Sequence, residues 1–195
     1  MTFIRSLRTV TLAALGASLI AQSKPSAHVQ PPAPTASKSC LRSVPKPIFG
    51  DNLPGVTAHT FTKPAKALPD AREATETAVL ASGDSVTVSH WGCRFFILTF
   101  DVASKARLST PMTFPAQGYL EAAKAIRQLD ALKVKTGFDL EKAAKALEAA
   151  AKNPKVALIT PVSLGGKASV AVKALGPTED KTKGHVQFEL MRGPL

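Results

Sequence analysis

One stretch near the middle of this chain restricts its fold more than any other. Residues 85–89 alternate between polar and apolar side chains, which is the period of a half-buried β-strand. Residues 93–102 then read CRFFILTFDV, with apolar side chains facing both ways, as in a strand covered on both sides. Gly92 lies between the two segments and marks either a turn or a bulge within one long strand. The chain is therefore expected to build a sheet with residues 93–102 near its centre.

Further strands are predicted on both sides of this stretch. β-Branched residues and alternation indicate strands at 56–62 and in the second half of 71–81, and the turn cluster 82–84 closes a hairpin. The C-terminal third is again strand-like, with short glycine-containing turns. Its predicted strands are 156–160, 168–174 and 185–190, and its predicted turns are Gly165-Gly166 and Gly176-Pro177.

Two helices are predicted between these groups of strands. Apolar residues recur at helical spacing across 119–129 and again across 138–152. Thr136 and Asp139 resemble a capping box before the second helix, and Asn153-Pro154 ends it. This order predicts an α+β fold, in which a mostly antiparallel sheet has two consecutive helices inserted between N-terminal and C-terminal strands.

The N-terminal segment has the three parts of a secretory signal peptide. Two arginines precede an apolar run at 10–21, and small residues around position 23 offer a cleavage site. The run is shorter than the roughly 20 residues of a membrane-spanning helix, and an uncleaved anchor is the alternative. We assign residues 1–23 to the signal peptide, 24–49 to a Pro-rich tether and 50–195 to a single α+β domain. A signal peptide predicts a periplasmic or secreted protein.

The two cysteines of the chain, Cys40 and Cys93, are expected to form a disulfide bond. Compartments outside the cytoplasm are oxidising, so an exported protein tends to pair its thiols. The alternative joins Cys93 to His90 in a metal site. A closed zinc site needs four ligands, however, and the other histidines are scattered singly along the sequence. We therefore predict the disulfide, with no metal and no cofactor.

Motifs for catalysis are not found in the sequence. It has no nucleophile elbow, no phosphate loop and no dinucleotide-binding glycine pattern. The nearest candidate, Gly165-Gly166-Lys167, is more typical of a hairpin turn than of a phosphate cradle. Glu73 and Glu76 are close in sequence and are interpreted as surface charges. The residues predicted for a binding surface are His90, Trp91, Arg94 and Asp101. The alternative for His90 is an imidazole packed at the edge of the core.

The charge of the chain predicts attraction to anionic partners without identifying one, and the alternative is a basic surface that is simply solvated. The chain has 25 basic and 14 acidic residues, a formal net charge of +11. Nucleic acid is not expected as the partner, because no run of five cations occurs and the only Trp and Tyr are Trp91 and Tyr119.

These features predict an exported, non-catalytic binding protein of the bacterial cell envelope, such as an inhibitor or immunity-type protein. Its expected partner is an envelope protein or an anionic envelope polymer, bound by a basic surface. The alternative is a hydrolase of cell-wall or envelope material, with a site that sequence motifs do not reveal.

Overall fold

The fold is an antiparallel sheet with two helices. A computed structural model describes residues 40, 42–50, 52–64, 73–107, 115–153, 159–179 and 181–194. The predicted signal peptide, and the predicted tether as far as residue 39, lie outside the described residues. The elements in chain order are β1 (Val56–Thr62), β2 (Ala74–Leu80), β3 (Ser85–Trp91), β4 (Phe96–Ser104), a 3-10 turn (Lys105–Arg107), α1 (Pro115–Ala131), α2 (Leu140–Ala151), β5 (Val162–Gly165), β6 (Ala168–Pro177) and β7 (Gly184–Arg192).

The seven strands form one sheet in the order β1-β2-β3-β4-β7-β6-β5, and every pairing is antiparallel. Both helices lie between β4 and β5 in the sequence, so the predicted α+β fold is confirmed. The strand predicted to be central is β4, the middle strand of the seven. Its inward residues Leu98, Phe100 and Val102 are fully buried, and the Phe100 ring stacks on that of Phe188 in β7.

Gly92 lies in a turn between β3 and β4 rather than in a bulge. Its φ of +98° is in the left-handed region that favours glycine. A Cβ atom at this position would collide with the Phe95 carbonyl oxygen, so the turn has no space for a side chain.

The two helices cover one half of the sheet. Helix α1 packs against β6 and β7, and α2 packs against β5 and β6. Fully buried apolar residues fill the contact, among them Tyr119 and Leu129 of α1 and Leu147 of α2. Arg127 of α1 donates hydrogen bonds to Glu141 and Glu148 of α2, which joins the helices on their outer side.

An irregular segment covers the inner face of the other half. Residues 42–50, which we call the strap, lie against β1, β2 and β3. Ile48 is 4% exposed and Phe49 is fully buried, and both belong to the hydrophobic core. From the sequence we predict that residues 42–49 belong to the Pro-rich tether. In the structure they are part of the folded domain. The burial of Ile48 and Phe49 was not predicted, because the prolines and lysines around them give the segment the composition of a tether.

Three local predictions differ from the structure. Residues 156–158 lie outside the described part of the chain, and Ile159 and Thr160 are not in a strand, since β5 begins at Val162. Gly176-Pro177 ends β6 instead of forming a turn, and the chain reverses after it. The N-cap of α2 is Asp139, whose side chain accepts a hydrogen bond from the Lys142 amide, so the capping box predicted from Thr136 is wrong.

The opposite face of the sheet is polar where it is formed by β1, β2 and β3. Its exposed side chains are mostly hydroxyls, contributed by Thr60, Thr62, Thr75, Thr77, Thr87 and Ser89. Among the described residues, no helix is long and apolar enough to span a membrane.

Candidate functional site

The structure places His90 inside the protein. It lies on β3 with its side chain on the core face and is 2% exposed. Its Nε2 is 3.2 Å from Oε2 of Glu76, on the neighbouring strand β2. His90 is therefore a core histidine, as in the alternative considered from the sequence, and its small exposed fraction contributes only to the wall of a cavity beside the strap.

Glu76 is a buried carboxylate, and its interpretation as a surface charge is wrong. Its exposed fraction is zero. The amides of Ile48 and Phe49 in the strap donate hydrogen bonds to it, at 2.9 Å to Oε2 and 2.8 Å to Oε1. His59 Nε2 on β1 lies 2.7 Å from Oε1. We call this group of Glu76, His59, His90 and the two strap amides the Glu76 anchor.

The hydrogen bonds of the anchor keep Glu76 ionised. Burial by itself raises the pKa of this carboxyl. The bonds from His90, from the amides of Ile48 and Phe49 and from His59 outweigh that effect, and the pKa of Glu76 lies below its usual value. A carboxylate enclosed in this way binds the strap to the sheet and has no access to a substrate in this conformation.

A disulfide bond and a stack of side chains hold the beginning of the strap. Cys40 is bonded to Cys93 in the β3–β4 turn, which confirms the predicted pairing. Arg42 donates a hydrogen bond to the Trp91 carbonyl, and its guanidinium lies 4.5 Å from the centre of the Phe96 ring. Burial lowers the pKa of Arg42 to about 10, so this side chain remains a cation at neutral pH.

The stack continues from the strap to the far end of β7. The Phe96 ring stacks on Phe138, which precedes α2, with 5.4 Å between the ring centres. The guanidinium of Arg192, the last residue of β7, lies 4.9 Å from the centre of the Phe138 ring. Two arginines and two phenylalanines therefore connect the strap, β4, the α1–α2 loop and β7 at one end of the sheet.

The other residues predicted for a binding surface are exposed but do not form one cluster. Trp91 lies on the open face of β3, 42% exposed, and its Nε1 donates to the Thr99 hydroxyl. Arg94 is exposed in the β3–β4 turn. Asp101 lies further along β4, with both carboxylate oxygens 3.1 Å from Nδ1 of His185. Trp91 and Arg94 share one end of the sheet, while Asp101 forms a separate contact with His185.

A basic groove runs along the strap. It includes a cavity of about 510 Å³ between the strap and the α1–α2 loop, lined by Lys46, Lys133 and Lys135. A neighbouring cavity of about 320 Å³ shares Lys46 and Lys135 and extends to Arg42. No carboxylate is among the described residues that line the two cavities, whose other walls include Pro47 and Leu53. We call this surface the strap groove.

A second basic cavity lies at the start of α2. It has a volume of about 450 Å³ and is enclosed by the β5–β6 hairpin, the first turn of α2 and the end of β7. Each of these three elements contributes one cation: Lys167, Lys142 and Arg192. We call it the hairpin cavity. The hairpin reverses where the sequence predicted, since Gly165 ends β5 and Gly166 is the first residue of the turn, both with positive φ.

The alternative metal site at His90 and Cys93 does not form. Cys93 is occupied by its bond to Cys40, and His90 is directed at Glu76. Across the residues that the structure describes, no group of three or more His, Cys, Asp or Glu side chains is arranged to hold a metal ion.

Two features of the site, the buried Glu76 and the strap groove, were not predicted from the sequence, for different reasons. Glu76 is in phase with Ala74, Ala78 and Leu80, which all face the core, so the alternation of β2 contained the signal for its burial. The strap groove has no comparable signal, because its lysines meet only through the fold.

Comparisons with protein-family models, with curated proteins and with solved structures gave no match to this chain.

Proposed function

We propose that this protein is an exported, non-catalytic binding protein of the bacterial cell envelope that holds an anionic partner in the strap groove. The observation that carries the proposal is the convergence of Lys46, Lys133 and Lys135 on one concave surface. Cations that line a cleft concentrate the electrostatic potential there and attract anionic partners. The apolar atoms of Pro47 and Leu53 add a surface that a partner can desolvate.

The arrangement of the strap supports a role in binding. The groove is bordered by a segment held at one end by the disulfide bond and farther along by the Glu76 anchor. The backbone of Lys135 also donates a hydrogen bond to the Ile48 carbonyl, which joins the α1–α2 loop to the strap. A groove whose two walls are fixed loses little conformational freedom when a partner binds.

Export is part of the proposal and rests on two observations. The first is the N-terminal sequence, which has the charge and apolar pattern of a signal peptide. The second is the disulfide bond, which is typical of proteins that fold outside the cytoplasm.

The test is affinity capture of the tagged full-length protein from its own cells, followed by washes at low salt and at about 0.5 M salt. A variant with Lys46, Lys133 and Lys135 changed to Gln is expected to lose the partner. The matched control changes Lys105, Lys152 and Lys181 to Gln. These changes remove the same charge from exposed positions outside the strap groove and outside the cavity at the start of α2.

The outcomes separate the kinds of partner. A stoichiometric envelope protein that survives the salt wash and is lost only in the groove variant indicates an inhibitor or adaptor. Retention of a salt-labile anionic polymer, again lost only in the groove variant, indicates a polymer binder. Equal loss in the control contradicts a defined groove. Turnover of envelope material that Asp101→Asn abolishes would instead favour the hydrolase.

A further inference from the structure

The hairpin cavity brings together cations from three parts of the chain that are distant in sequence. Lys142 lies in the first turn of α2, Lys167 lies in the β5–β6 turn, and Arg192 ends β7. All three line one cavity of about 450 Å³. Like charges repel each other, so an arrangement that gathers three of them without an equal number of carboxylates favours an anion among them.

Contacts with the backbone position two of these cations. Lys167 Nζ donates a hydrogen bond of 2.8 Å to the Pro194 carbonyl, and Arg192 donates one to the Gly137 carbonyl. The ammonium of Lys142 lies beside the hairpin, since a Cβ atom on Gly165 would be 3.3 Å from its Nζ. Side chains that are already positioned lose less entropy when a ligand binds.

The charge balance of the cavity matches a doubly charged anion. Asp139 is the one carboxylate among the described residues that line it, and its Oδ1 accepts the Lys142 amide as the cap of α2. Among the described lining residues, three cations and one carboxylate leave an excess of two positive charges. A phosphate monoester carries about −1.5 to −2 at neutral pH, whereas a carboxylate carries only −1. The cap already occupies the start of the helix, so the attraction comes from the side chains.

The walls of the cavity have space for the group that carries the phosphate. Phe138, Leu164 and Pro194 contribute apolar surface beside the cations. We propose that the hairpin cavity binds a phosphate monoester group, either free or as part of a larger molecule. This site is separate from the strap groove, and the proposal extends the proposed function from one anionic partner to a second, chemically defined ligand.

The direct test is a titration of the full chain with inorganic phosphate, followed by calorimetry or by NMR of the backbone amides. We expect Lys142→Ala and Lys167→Ala each to weaken phosphate binding about fivefold, because each removes one charge that is partly exposed to solvent. Lys105→Ala is the matched control. Lys105 is exposed and follows the last residue of β4, at the end of that strand far from Arg192 and the hairpin cavity. Lys105→Ala is expected to leave the affinity unchanged. Thermal melts check that each variant folds.

Two further arms identify the source of the phosphate and its specificity. Vesicles of phosphatidylcholine with phosphatidic acid present the same group on a lipid, and vesicles of phosphatidylcholine alone are the reference. Binding to the first that depends on Lys142 and Lys167 supports a lipid source, and binding of inorganic phosphate alone supports a soluble one. Absence of binding in both arms overturns the proposal. Equal binding of acetate, or an equal loss in Lys105→Ala, also overturns it.

The strap-groove variant distinguishes this proposal from the proposed function. With Lys46, Lys133 and Lys135 changed to Gln, the protein is expected to keep its affinity for inorganic phosphate. If it loses that affinity, the phosphate is bound in the strap groove and the site proposed here is wrong, while the groove remains a binding surface.

Discussion

The two halves of the sheet are covered in different ways. The helix-covered half, β5 to β7, has only apolar residues among its fully buried inward side chains, such as Val170, Phe188 and Leu190. The strap-covered half, β1 to β3, places Glu76 and His90 among its buried inward side chains, beside apolar Val88.

The difference follows from the backbone that does the covering. A helix satisfies its own amides, except at its ends, so its side chains alone meet the sheet. The strap is irregular, and its buried amides at Ile48 and Phe49 need an acceptor that the sheet must provide. Glu76 is that acceptor. The strap-covered half therefore depends on a polar contact that the helix-covered half does not need.

Matched truncations of two fully buried phenylalanines give the largest expected effect. Phe188→Ala removes a ring stacked on Phe100 beneath the helices and is expected to destabilise the whole domain by about 4 kcal/mol. Phe49→Ala makes the same change in the strap and is expected to cost about 3 kcal/mol, since an irregular segment can move into the space. Urea unfolding with amide hydrogen exchange measures both. Equal loss of protection across the domain in the two variants would show that the halves unfold as one unit.

Removal of the disulfide bond tests the strap-covered half alone. Cys40 and Cys93 are separated by 53 residues in the sequence, for which loop closure gives a ceiling of about 4 kcal/mol. We expect the double change of both cysteines to Ser to cost about 3 kcal/mol and to expose the strap to proteases first. Reduction of the native protein serves as the control. A loss of protection that begins in α1 or α2 would contradict this expectation.

The Glu76 anchor is tested by a change of one carboxylate to an amide. Glu76→Gln keeps the shape but removes the charge that accepts the strap amides, and we expect a loss of about 2 kcal/mol. Glu73→Gln is the control, because Glu73 is exposed just before β2, and its effect should stay within about 0.5 kcal/mol. Hydrogen exchange at the Ile48 and Phe49 amides locates the loss. Unchanged protection there would argue against the anchor.

The smallest expected effect is a dependence of stability on pH. The pKa of Glu76 is lower in the folded protein than in the unfolded chain, so its contribution is complete above the unfolded pKa and is lost as the pH falls through the folded pKa. Unfolding free energies between about pH 6 and pH 3 should therefore decrease less steeply in Glu76→Gln than in the native protein. Glu73→Gln should retain the native slope. An unchanged slope in Glu76→Gln would mean that the carboxyl titrates normally.

The sequence predicted the helix-covered half well because its local patterns agree with its packing. The helices at 119–129 and 138–152 were found within α1 and close to the bounds of α2, and two of the three strands, β6 and β7, showed clear alternation. The prediction failed at β5, which is only four residues long and offers little pattern.

The strap-covered half was harder to predict, for a physical reason. Its strands were found, but the strap has neither the helical nor the strand period, and its prolines resemble those of a tether. Glu76 contradicts the usual rule that a charge lies outside, and its partners are amides 27 and 28 residues away in the sequence. Lys46 and Lys135 illustrate the same limit, since only the path of the chain brings them to one groove.

The pairing of β4 with β7 has a consequence for how the protein is made. Every other pairing joins strands that follow each other in the sequence, whereas Phe100 of β4 must find Phe188 of β7 across both helices. Until β7 has been synthesised, β4 is an edge strand with apolar residues on both faces, including Ile97 and Leu98, and it can pair with other chains. Contacts so distant in sequence form slowly. We therefore expect the arrival of β7 at this edge to set the folding rate, and expect newly made chains to aggregate most readily before it arrives.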